Sequence, residues 1–413
     1  MSHEKLRNVI DEQVGIISRK VTVGNYKFTK YKLKLIGKGR GKAPREISIP
    51  TIRDKIALKA LCKFLQARFA GSVSFELPQI IIRKIKYELE NDKYDTFIKL
   101  DVSNFYPSIK HEELIKRVKK RVRDERIVSL INSAIKTPTV ARSTSFDEIP
   151  SVGVPQGLSI SNILAAIYLS NIDKALNSLS DIKYFRYVDD ILILCDAKRC
   201  AGLTADIIKR FKRIGLVIHK PNESSGKSSI GSVNVNRFSY LGYDFVSGLV
   251  YARQSSMAKL RESLLTIFTE FKYSKIKSIE FLEWRLNLRI TGCVFQGKSK
   301  GWAFFFSEIT DESFLHEMDL FLKKLCIRFN VDLNLKNFVR TIYSIRHKRL
   351  TTRYIPNFDD FTIEEMIHVL EFYFKKSTTD MAPTEIIYNF KKRISKQVKD
   401  LETDIIDAGS TRS

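Results

Sequence analysis

The chain has 413 residues, 44% of them hydrophobic and 28% charged, with only 18 Gly and 10 Pro, which is length for about two to three domains and excludes global disorder, collagen-like and low-complexity architectures. Lys and Arg number 71 against 46 Asp and Glu, and the resulting net charge of +25 points to a polyanionic partner, nucleic acid first of all. Five scattered cysteines (Cys62, Cys195, Cys200, Cys293, Cys326) without a CxxC pair suggest neither disulfides nor zinc; with no secretory leader pattern and no long apolar run, a cytoplasmic protein without a membrane partner is expected.

From Gln13 to Arg45 ten basic residues (Arg19, Lys20, Lys27, Lys30, Lys32, Lys34, Lys38, Arg40, Lys42, Arg45) stand without an acidic one, a bias too long for helix-surface pairing. Within it YKLKLIGKGRGKAPREISIP alternates in the strand period, breaks at GKGRGK and alternates again, which predicts a hairpin with a cationic tip. IRDKIALKALCKFLQARF and IIRKIKYELEN predict helices, and TFIKLDV at 96–102 an apolar strand. Helices follow over HEELIKRVKKRV, RIVSLINSAIK and ISNILAAIYLSNIDKAL, then a hairpin in KYFRYVDDILILC around two aspartates. ADIIKRFKRIG predicts a helix, 222–231 a polar Ser/Gly loop, and RFSYLGYDF with LVYARQ a strand pair. From about Ser255 the pattern is almost wholly helical, which places the main boundary there.

Three segments carry the chemistry: LDVSNFYPSI with Asp101, VGVPQGLSIS with Gln156 and Gly157, and FRYVDDILIL with Asp189 and Asp190. A strand ending in Asp101 and a tight hairpin bearing Asp189 and Asp190 would bring three carboxylates to the rim of one buried sheet. Like charges so close raise one another's pKa unless a cation neutralises them, and hard oxygen donors with room for water and phosphate suit Mg²⁺. Two such ions suit in-line nucleotidyl transfer. Each piece alone reads equally as a polar turn or a loop before a helix; the ordered set does not.

In that order the segments resemble the boxes of reverse transcriptases, over roughly residues 30 to 250, with YVDD at 187–190 the most specific. The resemblance implies that Asp101, Asp189 and the Val102 carbonyl hold two Mg²⁺ ions, Mn²⁺ being a possible substitute, with Asp190 in support. Tyr106, or Phe105 in its place, would be the aromatic gate against a ribose 2′-hydroxyl. Gln156 and Gly157 would lie along the nascent base pair, and Lys42 and Arg45 would hold the incoming triphosphate. The general acid would be a lysine of the fourth box, Lys220 ahead of Lys227. Phe238, Tyr240, Leu241 and Gly242 would grip the primer. Arg346, His347, Lys348, Arg349 and Arg353 form a basic cluster that meets nucleic acid or is simply a solvated charge run. The usual Ser-Pro of the second box is replaced by Ser161-Asn162, which argues against an ordinary retroviral or group II intron enzyme.

The implied fold is α+β: a right-hand polymerase with fingers at 1–95, an antiparallel palm and primer-grip hairpin at 96–254, and a mostly helical thumb and RNA-binding region at 255–413. The GLSISNILA form of the second box, the helical tail and the Ile290-Thr291-Gly292 triplet look most like defence-associated bacterial enzymes related to retron and abortive-infection reverse transcriptases. That kinship implies dNTP substrates, a cognate structured non-coding RNA template, a cDNA product and a bacterial antiphage role. A retron- or intron-type enzyme without a defence role, an RNA-copying polymerase and a non-catalytic RNA scaffold stay as alternatives. The bulky gate opposes the RNA-copying polymerase and the intact aspartate set opposes the scaffold.

Overall fold

In the computed structural model of the chain the described residues are 10–37, 43–91, 93–141, 149–223, 226–275, 277–349, 351–403 and 405. They fall into two compact units, one formed by the chain up to Glu76 with Tyr94–Ser232, the other by Leu77–Lys93 with the chain from Val233. The second unit thus takes in the helix Pro78–Glu90 and begins ahead of Ser255.

The first described element of this unit is a helix, Ile10–Val23, which runs into the basic stretch that the sequence had shown only as a charge bias. The predicted hairpin follows: strand β1 (Tyr31–Ile36) pairs antiparallel with β2 (Arg45–Ile49), and Ile36 lies opposite Arg45 at the end next to the connection. The cationic tip at 38–42, with Lys42, lies outside the described residues. Next come the helix Ile52–Arg68, capped by the Thr51 side chain, and the strand β3 (Thr96–Ser103). A two-residue strand, β4 (Thr139–Val140), extends the β1–β2 sheet.

The central sheet is built on β3. Strands β5 (Lys183–Tyr187) and β6 (Asp190–Cys195) form a hairpin, and β6 pairs antiparallel along one edge of β3. Along the other edge β8 (Ser229–Ser232) pairs with Thr96–Lys99 and β7 (Val217–Ile218) with Val102–Ser103. The Ser/Gly stretch at 222–231 is therefore not all loop: its end is a sheet strand, which the composition concealed. Ile191, Ile193 and Cys195 of β6, all fully buried, pack into the core of this unit with the helix Ser161–Asn177, whose Ile163, Leu164, Ile167 and Tyr168 fill it. Apolar, buried side chains at every β6 position after Asp190 fit a central strand with no solvent face.

In the second unit β9 (Phe238–Tyr240), β10 (Tyr243–Val246) and β11 (Leu249–Ala252) form a meander. Leu241 and Gly242, both with positive φ (48° and 85°), make the two-residue turn that such hairpins favour. Among the described residues five helices of ten or more residues follow, Gln254–Tyr273, Ile279–Thr291, Ser313–Phe329, Phe338–His347 and Pro383–Leu401. Within this mostly helical region stands one hairpin among the described residues, β12 (Cys293–Phe295) with β13 (Lys298–Lys300), in the stretch RITGCVFQGKSKGW. No helix among the described residues is long and apolar enough to cross a membrane.

Candidate active site

Asp101 sits where the ladder on one edge of β3 is interrupted. Pairing with β8 ends at Lys99 and pairing with β7 begins at Val102. The interval is bridged by single groups: the Asp101 N–H donates to Ser228 Oγ (3.0 Å) and the His219 N–H donates to the Asp101 carbonyl (3.0 Å). On the opposite edge Asp101 pairs directly with Asp190, so the two side chains rise from the same face of the sheet. Like charges placed opposite each other destabilise a sheet, and the sequence accepts that cost here.

Asp189 lies in the β5–β6 turn, which Tyr187 and Asp190 close as a register pair. Val188, the other turn residue, has φ +57°, a backbone conformation that β-branched residues rarely adopt. The turn is held from behind. Arg186 donates from Nη1 to the Val188 carbonyl (2.8 Å) and from Nε to Asp173 Oδ1 (2.7 Å), and its Nη2 also meets Asp173; Tyr184 donates to the same carboxylate (2.8 Å). Asp173 belongs to the helix Ser161–Asn177, so the hairpin is fastened to the core helix. Arg186 and Asp173 were not singled out from the sequence, because their pairing across 13 residues has no local signature.

Burial pushes the Asp189 carboxyl above its ordinary range, the negative charge of Asp101 adds to this, and a backbone N–H, Arg45 and Arg186 oppose it. Burial likewise raises Asp101, against the pull of Lys227, His219 and Lys99. Two carboxylates that resist ionisation side by side favour a cation between them. Among the described residues no three His, Cys, Asp or Glu side chains form a ready-made metal cage. The donor set fits an ion such as Mg²⁺, which keeps several ligand positions for water and phosphate oxygens.

Of the two candidate lysines, Lys227 is the one beside the carboxylates. Its Nζ lies 3.9 Å from Asp101 Oδ2 and 3.1 Å from His219 Nε2, and His219 Nε2 is 3.5 Å from the same Asp101 oxygen. Lys220 is exposed. The structure thus places Lys227 nearer to Asp101: β8 and the Ser228 hydrogen bond anchor a stretch that its Ser and Gly content made look flexible.

Tyr106 and Phe105 occupy the helical turn Phe105–Ser108, entered through Asn104 in the left-handed region (φ +45°). Both rings are buried. The Tyr106 phenol faces the charges of the site: after burial, Asp189 and Tyr187 raise its pKa, while Arg186 and Arg45 oppose them. It is therefore a protonated donor at neutral pH, and it donates to Asn162 Oδ1 at 2.5 Å. Arg45 reaches this group from β2 and is half-buried.

The loop carrying Gln156 and Gly157 is joined to β2 and to the Tyr106 turn. Ser48 N–H donates to the Gln156 carbonyl (2.7 Å), Val154 N–H to the Tyr106 carbonyl (2.9 Å) and Gly153 N–H to the Ile109 carbonyl (2.8 Å). Gly157 has φ +98°, and a Cβ there would lie 2.7 Å from Ile47 Cγ2 and 3.2 Å from the Ser48 carbonyl oxygen. The close approach that demands glycine is therefore to β2 of the same chain. Gly157→Ala is expected to lower stability by about 1–3 kcal/mol through backbone strain and overpacking. Urea unfolding checks this, and an unchanged midpoint would contradict it.

The remaining candidates lie in the second unit. Phe238, Tyr240 and Leu241 are buried there, with Phe238 stacked on Phe245 at 4.7 Å between centroids. Their side chains serve the core, and Gly242 completes the turn. Arg346 departs from the expected phosphate-facing cluster: its Nε donates to the Ser307 carbonyl (2.7 Å), its Nη2 to the Ile309 carbonyl, and Nη1 approaches Glu312 (3.4 Å). It is committed to tying down the 307–312 segment. His347, Lys348, Arg349 and Arg353 are exposed, although Arg349 also donates to Ser299 Oγ (2.8 Å).

An antiparallel sheet with two paired aspartates at its rim, a third in the adjoining turn, and a buried phenol and an arginine beside them defines a polymerase palm; the α+β class and the helical carboxyl-terminal region also meet the expectation. A family model described as reverse transcriptase (RNA-dependent DNA polymerase) matches residues 36–245, just over half of the 413, and the chain belongs to that family. Protein YkfC of Escherichia coli is 27% identical over 177 residues, covering 40% of this chain and 45% of YkfC. An uncharacterized 91 kDa protein in the cob intron of Schizosaccharomyces pombe is 29% identical over 160 residues, 37% of this chain and 20% of that protein. The chain thus spans less than half the length of these curated relatives. Among solved structures, telomerase from Candida albicans in complex with a fragment of telomeric RNA is similar at 13% identity and a TM-score of 0.47, over 95% of this chain and 66% of that one.

Proposed function

We propose that the protein is an RNA-directed DNA polymerase that extends a primer on an RNA template by metal-assisted nucleotidyl transfer. The observation that carries this is the direct pairing of Asp101 with Asp190 beside Asp189, where burial and mutual repulsion call for a cation. Asp101, Asp189 and the Val102 carbonyl would hold Mg²⁺ or Mn²⁺, with Asp190 in support. When bound, the metal lowers the charge barrier between the priming hydroxyl and the triphosphate. Arg45, with Lys42, neutralises the phosphates. Gln156 and Gly157 shape the floor under the nascent base pair. Tyr106 excludes a 2′-hydroxyl. Lys227, within 3.9 Å of Asp101, supplies the proton to the departing pyrophosphate.

Fingers, palm and thumb correspond to 1–95, 96–254 and 255–413 in this reading. The turn at Leu241-Gly242 meets the primer through its backbone, and His347, Lys348, Arg349 and Arg353 meet phosphate. The net charge of +25 supports an extended nucleic-acid footprint. We further infer a cognate structured non-coding RNA as template, cDNA as product, and a role in bacterial antiphage defence in the cytoplasm, on the form of the second box and the Ile290-Thr291-Gly292 triplet. A phage-dependent rise in protein-bound cDNA supports that role, and cDNA indifferent to phage opposes it.

The enzymatic reading is tested by extension of a DNA primer on an RNA template with dNTPs and Mg²⁺. In that assay Lys227→Ala is expected to slow addition on the order of 10²-fold, the usual worth of a general acid, and Lys220→Ala less than about threefold. Equal effects of the two would remove Lys227 from the proton step.

A further inference from the structure

We propose that Asn162 is a positioning residue for sugar selectivity: its side-chain oxygen accepts the Tyr106 hydroxyl at 2.5 Å and so fixes where the gate ring stands beside Asp189. The inference rests on the reading of the chain as a DNA-synthesising polymerase gated by Tyr106. It goes beyond that reading in naming what holds the gate and why asparagine occupies a position where the second box ordinarily has proline.

The geometry of the tyrosine side chain gives the contact its force. The phenolic oxygen lies on the Cβ–Cγ axis, so a bond at that atom leaves the spin of the ring free but fixes the direction in which the ring axis points. It selects one χ1 well of the staggered set. A gate that excludes one hydroxyl group needs its ring held to a fraction of an ångström, because the discrimination is steric. A phenylalanine at the same position would present the same ring face with no tether at its far end.

The tether is anchored to rigid structure. Asn162 lies in the first turn of the helix Ser161–Asn177, whose following residues Ile163–Leu169 are all buried. Ser161 is fixed in turn by its hydroxyl, which donates to the Pro155 carbonyl at 2.5 Å. The same segment holds the other end of Tyr106, through the Val154 N–H bonded to the Tyr106 carbonyl at 2.9 Å. Backbone and phenol of the gate are thus both held by residues 154–162, the segment that contains Gln156 and Gly157 and that joins β2 at Ser48. The gate and the floor under the base pair move together or not at all.

A buried phenol could have been satisfied by any acceptor, so the test must separate selectivity from stability. Single-nucleotide addition of a dNTP and of the matching NTP is measured for the wild type, Tyr106→Phe, Asn162→Ala, the double variant, and Tyr106→Ala as a control that removes the ring. Melting temperatures are recorded for all. Tyr106→Phe and Asn162→Ala are each expected to reduce the preference for dNTP about tenfold, the worth of one ordinary buried hydrogen bond, mainly through a lower KM for NTP. The double variant should resemble the single ones, since both remove the same bond.

If Tyr106→Ala relaxes selectivity while Tyr106→Phe and Asn162→Ala keep the wild-type preference, the gate stands and the tether is refuted. If Tyr106→Ala leaves the preference unchanged, Tyr106 is no gate and the tether has nothing to hold. A wild type that adds neither nucleotide overturns the polymerase reading and this inference with it. Should Asn162→Ala fail to fold, Tyr106→Phe breaks the bond from its other end with almost no change of volume, and decides alone.

Discussion

Replacing Asp189 and Asp190 together by alanine will abolish nucleotide addition, with a loss on the order of 10³-fold or more, while RNA binding stays close to wild type. The expectation follows from where these carboxylates stand. Asp190 is opposite Asp101 in the sheet and Asp189 is in the turn that Tyr187 and Asp190 close, so the double change leaves Asp101 as the one aspartate of the three to hold a cation. In the proposed reading, affinity for RNA would rest instead on the excess of basic residues, which the change does not touch. The loss will not come from unfolding. A carboxyl whose pKa is raised on folding, as that of Asp189 is by burial and by Asp101, binds its proton more tightly in the folded state. Its stabilising contribution is full below the ordinary carboxylate pKa and is lost as pH rises through the raised value. The metal-free double variant should therefore melt no lower than the wild type at neutral pH, and its stability should fall less as pH rises from 4 to about 7. Melting curves across that range, with and without Mg²⁺, check this, since the metal should raise the melting temperature of the wild type far more than that of the variant. Undiminished synthesis would remove the aspartates from the reaction.

The second large effect is expected at a residue outside the set of three aspartates. Asp173 accepts two donors of Arg186 and the Tyr184 hydroxyl, and the two ion-pair side chains are only 11% and 17% exposed. Asp173→Ala would remove the carboxylate that Arg186 and Tyr184 share in this largely buried pair, at a cost of about 3–5 kcal/mol. Because Arg186 also holds the Val188 carbonyl, the strained turn that presents Asp189 would loosen with it. Stability and synthesis should fall together, in contrast to the aspartate variant, where synthesis alone falls. Urea unfolding and primer extension on the same preparation separate the two patterns. A stability loss below about 1 kcal/mol would mean that the pair behaves as a surface salt bridge and does not brace the turn.

What the sequence made legible was whatever has a local signature. The apolar character of TFIKLDV and of the residues around YVDD gave the two central strands, and the order of the three boxes gave the set of carboxylates. The GKGRGK break gave the β1–β2 hairpin. What stayed hidden depends on pairing between distant segments. Nothing in SSIGS announces a strand until β3 is there to pair with it, and Lys227 was ranked second for that reason. Asn162 reads as a departure from a pattern until Tyr106, 56 residues earlier, is found bonded to it. Arg346 sits in a basic run and looks like its neighbours, yet its guanidinium closes on carbonyls 37 and 39 residues away. Charge composition reports how many cations there are; only the fold shows which are already in use.

The central claim, that Asp101, Asp189 and Asp190 form an RNA-templated DNA-synthesising centre, is tested most directly by extension of a DNA primer annealed to RNA. Wild type and the Asp189→Ala, Asp190→Ala double variant are compared with dNTPs and with NTPs in the presence of Mg²⁺. The account predicts full-length cDNA from the wild type with dNTPs, little product with NTPs, and none from the variant. Equal extension by both proteins, or wild-type extension with NTPs alone, would contradict it.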